Sequence, residues 1–295
     1  RGHGNSGGFS TIMSQRERKD LELIVQYVRS MPQVNDRAVG ITGGSQGGLH
    51  GLWAAADKLP VQAITADVIG PRWASDMLAN GCYRSTLMYL ISAFSVRFAP
   101  VRDSLFSYML NDDYDKFYDE FVTARDISPT QFESARTPLM LFGKWQDHYF
   151  RANEGINAYS VYRSKKDAEK LYLGTGGHYS DDVQAQWNYQ FTWITQWFDT
   201  LLRKQPGIVL REPDITYSYS SLPVDTNGYF TWSNRKINNW PPPGIQQMRF
   251  YLSSDGALLN HPTGTAGAGR ALLNDYRDPS YTFYWAFWDD LQGEW

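Results

Sequence analysis

The residues best suited to chemistry lie in Gly43-Gly44-Ser45-Gln46-Gly47-Gly48. A serine between glycines, directly after a β-branched run and before the apolar helical stretch Leu49 to Ala56, has the setting that a nucleophile elbow requires. Such a turn holds the serine in strained backbone angles at the carboxyl end of a strand. Glycines at 43 and 47 are expected to relieve the close approach of strand and helix. The amide of Gln46, at the amino end of the helix, is placed to donate to a developing oxyanion. The competing reading of the same residues is a glycine-rich phosphate loop or a plain turn.

A serine nucleophile needs a base, and the chain has five histidines: His3, His50, His148, His178 and His261. His178 closes Leu173-Gly174-Thr175-Gly176-Gly177-His178, a loop between a strand pattern and a long helix, and is the expected base. His148 is its rival. His50, on the elbow helix, is expected to point away from the serine, and His3 and His261 to be structural or solvated. The orienting acid is expected after the preceding strand, in the chain order Ser, Asp, His, which selects Asp147 with Asp67 as the alternative. The acidic stretch Asn111-Asp112-Asp113-Tyr114-Asp115 and the Asp181-Asp182 pair read as solvated faces or a helix N-cap. No metal site and no cofactor are expected. Cys82, the single cysteine, excludes an intrachain disulfide and a thiolate metal site.

The elements that must carry these groups read as α/β over 1–205. Leu21, Ile24, Tyr27 and Val28 predict a helix around 15–30. The runs 38–42, 61–66, 137–142 and 170–173 predict strands, and Trp187, Phe191, Ile194, Phe198 and Leu201 predict a helix over 183–203. Tyr-, Phe- and Met-rich helical texture over about 71–130 predicts a helical cap inserted between two strands. From 206 onward, short alternating runs such as Ile215-Thr216-Tyr217-Ser218-Tyr219, divided by Pro241-Pro242-Pro243-Gly244, predict the beginning of an all-β domain over 206–295. With 28 Lys+Arg against 31 Asp+Glu in 295 residues and no basic tract, nucleic acid is not an expected partner; no apolar run is long enough to span a bilayer.

On these residues the sequence resembles the cocaine esterase / X-prolyl dipeptidyl peptidase group of α/β-hydrolases, which includes the α-amino acid ester hydrolases. Arg1-Gly2-His3-Gly4-Asn5-Ser6-Gly7-Gly8 is similar to the loop after that group's fourth strand, and Gly43 to Gly48 to its elbow. Asp147, His178 and the helix bearing Gln196-Trp197-Phe198-Asp199 follow in the family's order. Pro241-Pro242-Pro243-Gly244 and Phe250-Tyr251-Leu252-Ser253-Ser254-Asp255-Gly256 are similar to the opening of its C-terminal jelly roll. The resemblance implies that the family's opening strands, and the tyrosine completing its oxyanion hole, would precede Arg1, and that the jelly roll is unfinished at Trp295. Where the family usually has tyrosine after the nucleophile this chain has Gln46, and Gly-Gly-Ser-Gln-Gly-Gly also resembles acetyl xylan esterases.

The expected activity is therefore hydrolysis of an acyl ester or amide through an acyl-enzyme on Ser45. Peptidase, carbohydrate deacetylase and a non-catalytic binding protein that keeps the fold are the alternatives. The amino acid ester hydrolases hold a substrate ammonium with carboxylates; Asp76 matches the first, whereas Tyr149 and Phe150 stand where the other pair belongs. An uncharged acyl ester or amide fits better, a small-molecule ester or a short peptide being the expected substrate, with Trp73, Trp145 and Tyr149 as pocket walls. Aromatic- and asparagine-rich texture points to export, to the periplasm or the exterior, with the cytoplasm and self-association left open.

Overall fold

The computed structural model describes residues 1–78, 81–84, 96–163, 169–178, 184–221, 226, 231–253 and 257–262. Four parallel strands, β1 (Gly40–Gly44), β2 (Ala63–Asp67), β3 (Leu139–Lys144) and β4 (Glu169–Gly174), lie side by side in chain order. Parallel neighbours need crossovers, and helices supply them. α1 (Gln15–Ser30) precedes β1, and α2 (Gln46–Ala56) links β1 to β2. α1 starts where Ser14 and Glu17 satisfy each other's backbone amides in a capping box.

β2, β3 and β4 are buried almost throughout, as expected of a sheet covered on both faces. Their side chains alternate with period two. Ile64, Ala66, Leu139, Leu141, Leu171 and Leu173 join the core shared with α1 and α2, while Ala63, Met140, Phe142 and Tyr172 face Trp193 and Trp197. Those tryptophans belong to the long helix Gln184–Leu201, which packs on the sheet through Gln186, Gln190, Trp193 and Trp197. Of the expected apolar stripe, Trp187 and Phe191 are exposed and Ile194, Phe198 and Leu201 are half-buried, so the helix is where its spacing predicts but turned to another face.

Among the described residues, the connection from β2 to β3 holds α3 (Trp73–Met77), α4 (Val101–Leu110), α5 (Tyr114–Phe117), a π turn (Tyr118–Val122) and α6 (Pro129–Ser134). This is the insertion expected over 71–130. It is pinned to the segment before α1 by Arg125, whose buried guanidinium donates to the carbonyls of Thr11 and Ile12, as well as to that of Phe121 within the insertion, and lies 3.9 Å from the Phe121 ring centroid. Between β3 and β4 the chain forms α7 (Ala152–Arg163).

One expectation changes. The run expected to open a separate β-domain, Ile215–Ser221, is β5 and pairs parallel with β4; β6 (Thr231–Ile237) then pairs antiparallel with β5. Among the described residues the sheet therefore has six strands and continues past residue 206. The polar-apolar alternation that resembles a sandwich strand also fits a strand near the margin of a mixed sheet. Beyond it, the described residues contain the short hairpin of β7 (Tyr251–Leu252) and β8 (Leu258–Leu259). The rest of the expected jelly roll, 263–295, lies outside the described residues, as does the Asp181-Asp182 pair.

Candidate active site

The elbow forms at the junction of β1 and α2. Ser45 has φ 54° and ψ −120°, a conformation that L-residues rarely adopt, and its amide donates to the carbonyl of Asp67 at 2.9 Å. The strand and the helix touch where a side chain has no room. A Cβ on Gly43 would stand 2.4 Å from the backbone carbon of Gly47, and one on Gly48 would stand 2.6 Å from the Ile69 side chain. Gly47, expected to relieve crowding too, would meet nothing within 4 Å; the steric demand falls on 43 and 48 because it is the backbone of 47 that approaches. The Ser45 side chain makes no capping bond to α2, so it does not occupy the first amides of that helix. Gln46 stands at the head of the helix and lines, with Gly47, His50, His3 and Glu17, a cavity of about 360 Å³ on the α1 side.

The loops after β3 and β4 are stitched together beyond the strands themselves. The Trp145 amide donates to Gly174 and the Gln146 amide to Gly176, both at 3.2 Å, which extends the parallel ladder to the residue before Asp147. Asp147 is buried, and its carboxylate is divided between two tasks. Oδ1 accepts the amides of Tyr149 at 2.8 Å and Phe150 at 3.0 Å, while Oδ2 lies 2.9 Å from Nδ1 of His178. Because a carboxylate only accepts, Nδ1 carries the hydrogen and the basic lone pair of the imidazole resides on Nε2. The ring sits between Tyr149, edge-on at 5.0 Å between centroids, and Phe150 at 5.5 Å. Ser45, Asp147 and His178 all follow the carboxyl ends of parallel strands, the edge at which open α/β sheets carry their sites.

The rival groups have other surroundings. Asp67 Oδ2 accepts from Gln190 of the long helix at 2.8 Å. The His148 carbonyl accepts from the Arg84 guanidinium. His50 packs at 5.4 Å from Trp53, and burial pushes its imidazole below the usual range. His3 is exposed, and His261 is exposed beside the Asn260 side chain.

Among the expected pocket walls, Trp145 is 37% exposed and donates its indole N–H to the Ser218 carbonyl at 2.7 Å, with Trp240 alongside at 6.1 Å. Trp73 lies in the core instead, its ring against Phe121 and Phe150, and Tyr149 is buried against the imidazole. Both belong to the packing that shapes the site. Asp76, the expected ammonium ligand, is 1% exposed and accepts the backbone N–H of Arg151 at 3.2 Å and its Nε–H at 3.3 Å. Burial pushes its carboxyl up to about 7; Glu154 adds to the rise and Arg151 opposes it. Sequence reasoning missed Arg84 and Arg151. The Asp147 turn was foreshadowed, since aspartate often accepts amides two and three residues ahead, whereas nothing local announces Arg84. No group of three His, Cys, Asp or Glu suited to a metal occurs among the described residues.

Residues 1–102 match the sequence profile of the X-Pro dipeptidyl-peptidase family, S15. No curated protein sequence matches the chain. Among solved structures, a CocE/NonD family hydrolase from Staphylococcus aureus superposes with a TM-score of 0.64 at 15% identity, over 86% of this chain and 44% of that one. An esterase from Pyrococcus furiosus aligns with a TM-score of 0.48 at 17% identity over 68% of each chain. The chain thus has the α/β-hydrolase fold and spans less than half the length of the staphylococcal hydrolase.

Proposed function

We propose that the chain carries the nucleophile, base and acid of a serine hydrolase that cleaves an acyl ester or amide. The observation that carries this reading is the division of the Asp147 carboxylate: one oxygen is fixed by two amides, the other holds Nδ1 of His178 at 2.9 Å, and Ser45 stands strained at the same sheet edge. In this reading Nε2 of His178 takes the Ser45 proton as Oγ attacks the acyl carbon. The oxyanion accepts from the Gln46 amide, and the Asp147 carboxylate stabilises the imidazolium. Collapse expels the alcohol or amine with the proton from His178; water then attacks the acyl carbon and gives its proton to the same nitrogen, and the second collapse breaks the bond to Oγ, releasing the acid as His178 returns the proton to Ser45. The chain's own residues supply each proton transfer, so no cofactor enters the scheme.

The test is labelling with a fluorophosphonate probe and mapping of the modified residue by mass spectrometry. The label is expected on Ser45 and should vanish in Ser45→Ala and His178→Ala variants that retain wild-type circular dichroism. A label elsewhere, or undiminished labelling in His178→Ala, would overturn the assignment. A peptidase reading is favoured by the S15 profile match over residues 1–102. Turnover of an aminoacyl-prolyl p-nitroanilide faster than of p-nitrophenyl butyrate would place it first.

A further inference from the structure

We infer that Asp76 and Arg84 are positioning residues that clamp the loop 147–151 and so hold Asp147 against His178, instead of receiving a substrate cation. The inference rests on the triad reading above. Its basis is the placement of four contacts around two amides. The amides of Tyr149 and Phe150 are the donors that fix Asp147 Oδ1. On one side of them, the carbonyl of His148 accepts from Nη1 of Arg84; on the other, the backbone N–H of Arg151 donates to Asp76 Oδ1 at 3.2 Å. The two clamping residues are themselves joined, because Arg84 Nε donates to the Asp76 carbonyl at 2.8 Å. The Arg84 amide in turn donates to Met77 at 2.9 Å, tying the clamp to α3.

Loop 147–151 is therefore held at both ends of the segment that orients the acid, by residues from the insertion between β2 and β3. Asp76 is poorly suited to meet a ligand: it is buried, and its Oδ1 already takes two donors from Arg151. Its carboxyl, pushed up to about 7, is neutral in a large share of molecules at neutral pH, yet the carbonyl oxygen of a protonated carboxyl still accepts. What the position needs is an acceptor, and the charge is secondary.

This separates the clamp from ionic recognition. Asp76→Asn keeps an acceptor, whereas Asp76→Ala and Arg84→Ala remove one arm each. With p-nitrophenyl butyrate, Asp76→Ala and Arg84→Ala are expected to lower kcat by about 10-fold or more with KM changed by less than about 2-fold, and Asp76→Asn to remain within about 3-fold of the parent. The amides of Tyr149 and Phe150, followed by hydrogen exchange in peptides spanning 145–151, should exchange about 10-fold faster in the two alanine variants and at the parent rate in Asp76→Asn. Unchanged exchange in both alanine variants would overturn the clamp. So would an Asp76→Asn variant that loses activity through KM as severely as Asp76→Ala. The exchange measurement needs no turnover: a parent chain that hydrolyses nothing would sink the hydrolase reading while the clamp is still decided. Arg84 is half-buried, so Arg84→Ala covers the case in which Asp76→Ala does not fold.

Discussion

Replacing Asp147 by Asn tests the geometry at its most constrained point. The side chain keeps its shape, but one end of the amide must face the two N–H donors of Tyr149 and Phe150 and the other must face Nδ1 of His178. If the amide oxygen faces His178, the NH₂ group opposes two N–H donors, which loses two buried hydrogen bonds at about 1–3 kcal/mol each. The favoured orientation therefore turns the NH₂ group to His178. Nδ1 must then accept, the ring proton moves to Nε2, and the nitrogen that should deprotonate Ser45 is already protonated. The expected loss in kcat/KM is about 10⁴-fold, or about 5.5 kcal/mol in the barrier, with the fold intact. Steady-state hydrolysis of p-nitrophenyl butyrate with matched circular dichroism measures it. Asp67→Asn is the control: its carboxylate contacts Gln190, so activity should stay within about tenfold of the parent. Activity of Asp147→Asn within about tenfold of the parent, or an equal collapse in Asp67→Asn, would refute the reasoning.

Three further outcomes are expected. Ser45→Gly removes a residue with φ 54° and should abolish activity while raising stability by about 1 kcal/mol, read by urea unfolding. Arg125→Met leaves the buried carbonyls of Thr11, Ile12 and Phe121 without their donor and should lower stability by about 3 kcal/mol in the same assay. Asp76 keeps its proton in the folded chain up to about pH 7, whereas the unfolded chain releases it near the usual 3.8. Folding then takes up a proton between those values, so the parent loses stability as pH rises from about 4 to 7 and the loss levels off above. Asp76→Asn, still facing Arg151 and Glu154, lacks that dependence; its melting temperature should exceed the parent's at pH 8 and match it near pH 4.

Much of this arrangement was legible in the residues because it is periodic or local. The 3.6-residue repeat of α1 and of the helix Gln184–Leu201, and the apolar runs of β1 to β4, locate the elements, though not the covered face of either helix, since Ile24, Tyr27, Trp187 and Phe191 are exposed. The glycines around Ser45 announce a turn in which strand and helix backbones nearly touch. Contacts between distant residues were not legible. β5 carries an alternation that any strand with one covered face shows, so its pairing with β4 was not written in its own residues. Trp73 and Tyr149 have the composition of pocket walls but are enclosed by Phe121, Phe150 and His178. Arg84 reaches His148 across 64 positions, a distance over which sequence spacing carries no signal.

The stitching of the loops after β3 and β4 divides the site into two mechanical parts. Asp147 and His178 ride on neighbouring strands joined past their ends, so their relative placement is fixed by those joints. Ser45 rides on β1, with β2 and β3 between it and the strand that carries the base. Each step between strands turns by about 20–25°, so the heading of the serine relative to the imidazole is a sum over three such steps. In the proposed mechanism, alignment of Ser45 with the imidazole is thus a property of the coil of the sheet from β1 to β4. Substitutions far from any reacting atom, in the layers that set that coil, are then able to tune the rate while leaving the acid and base pair untouched.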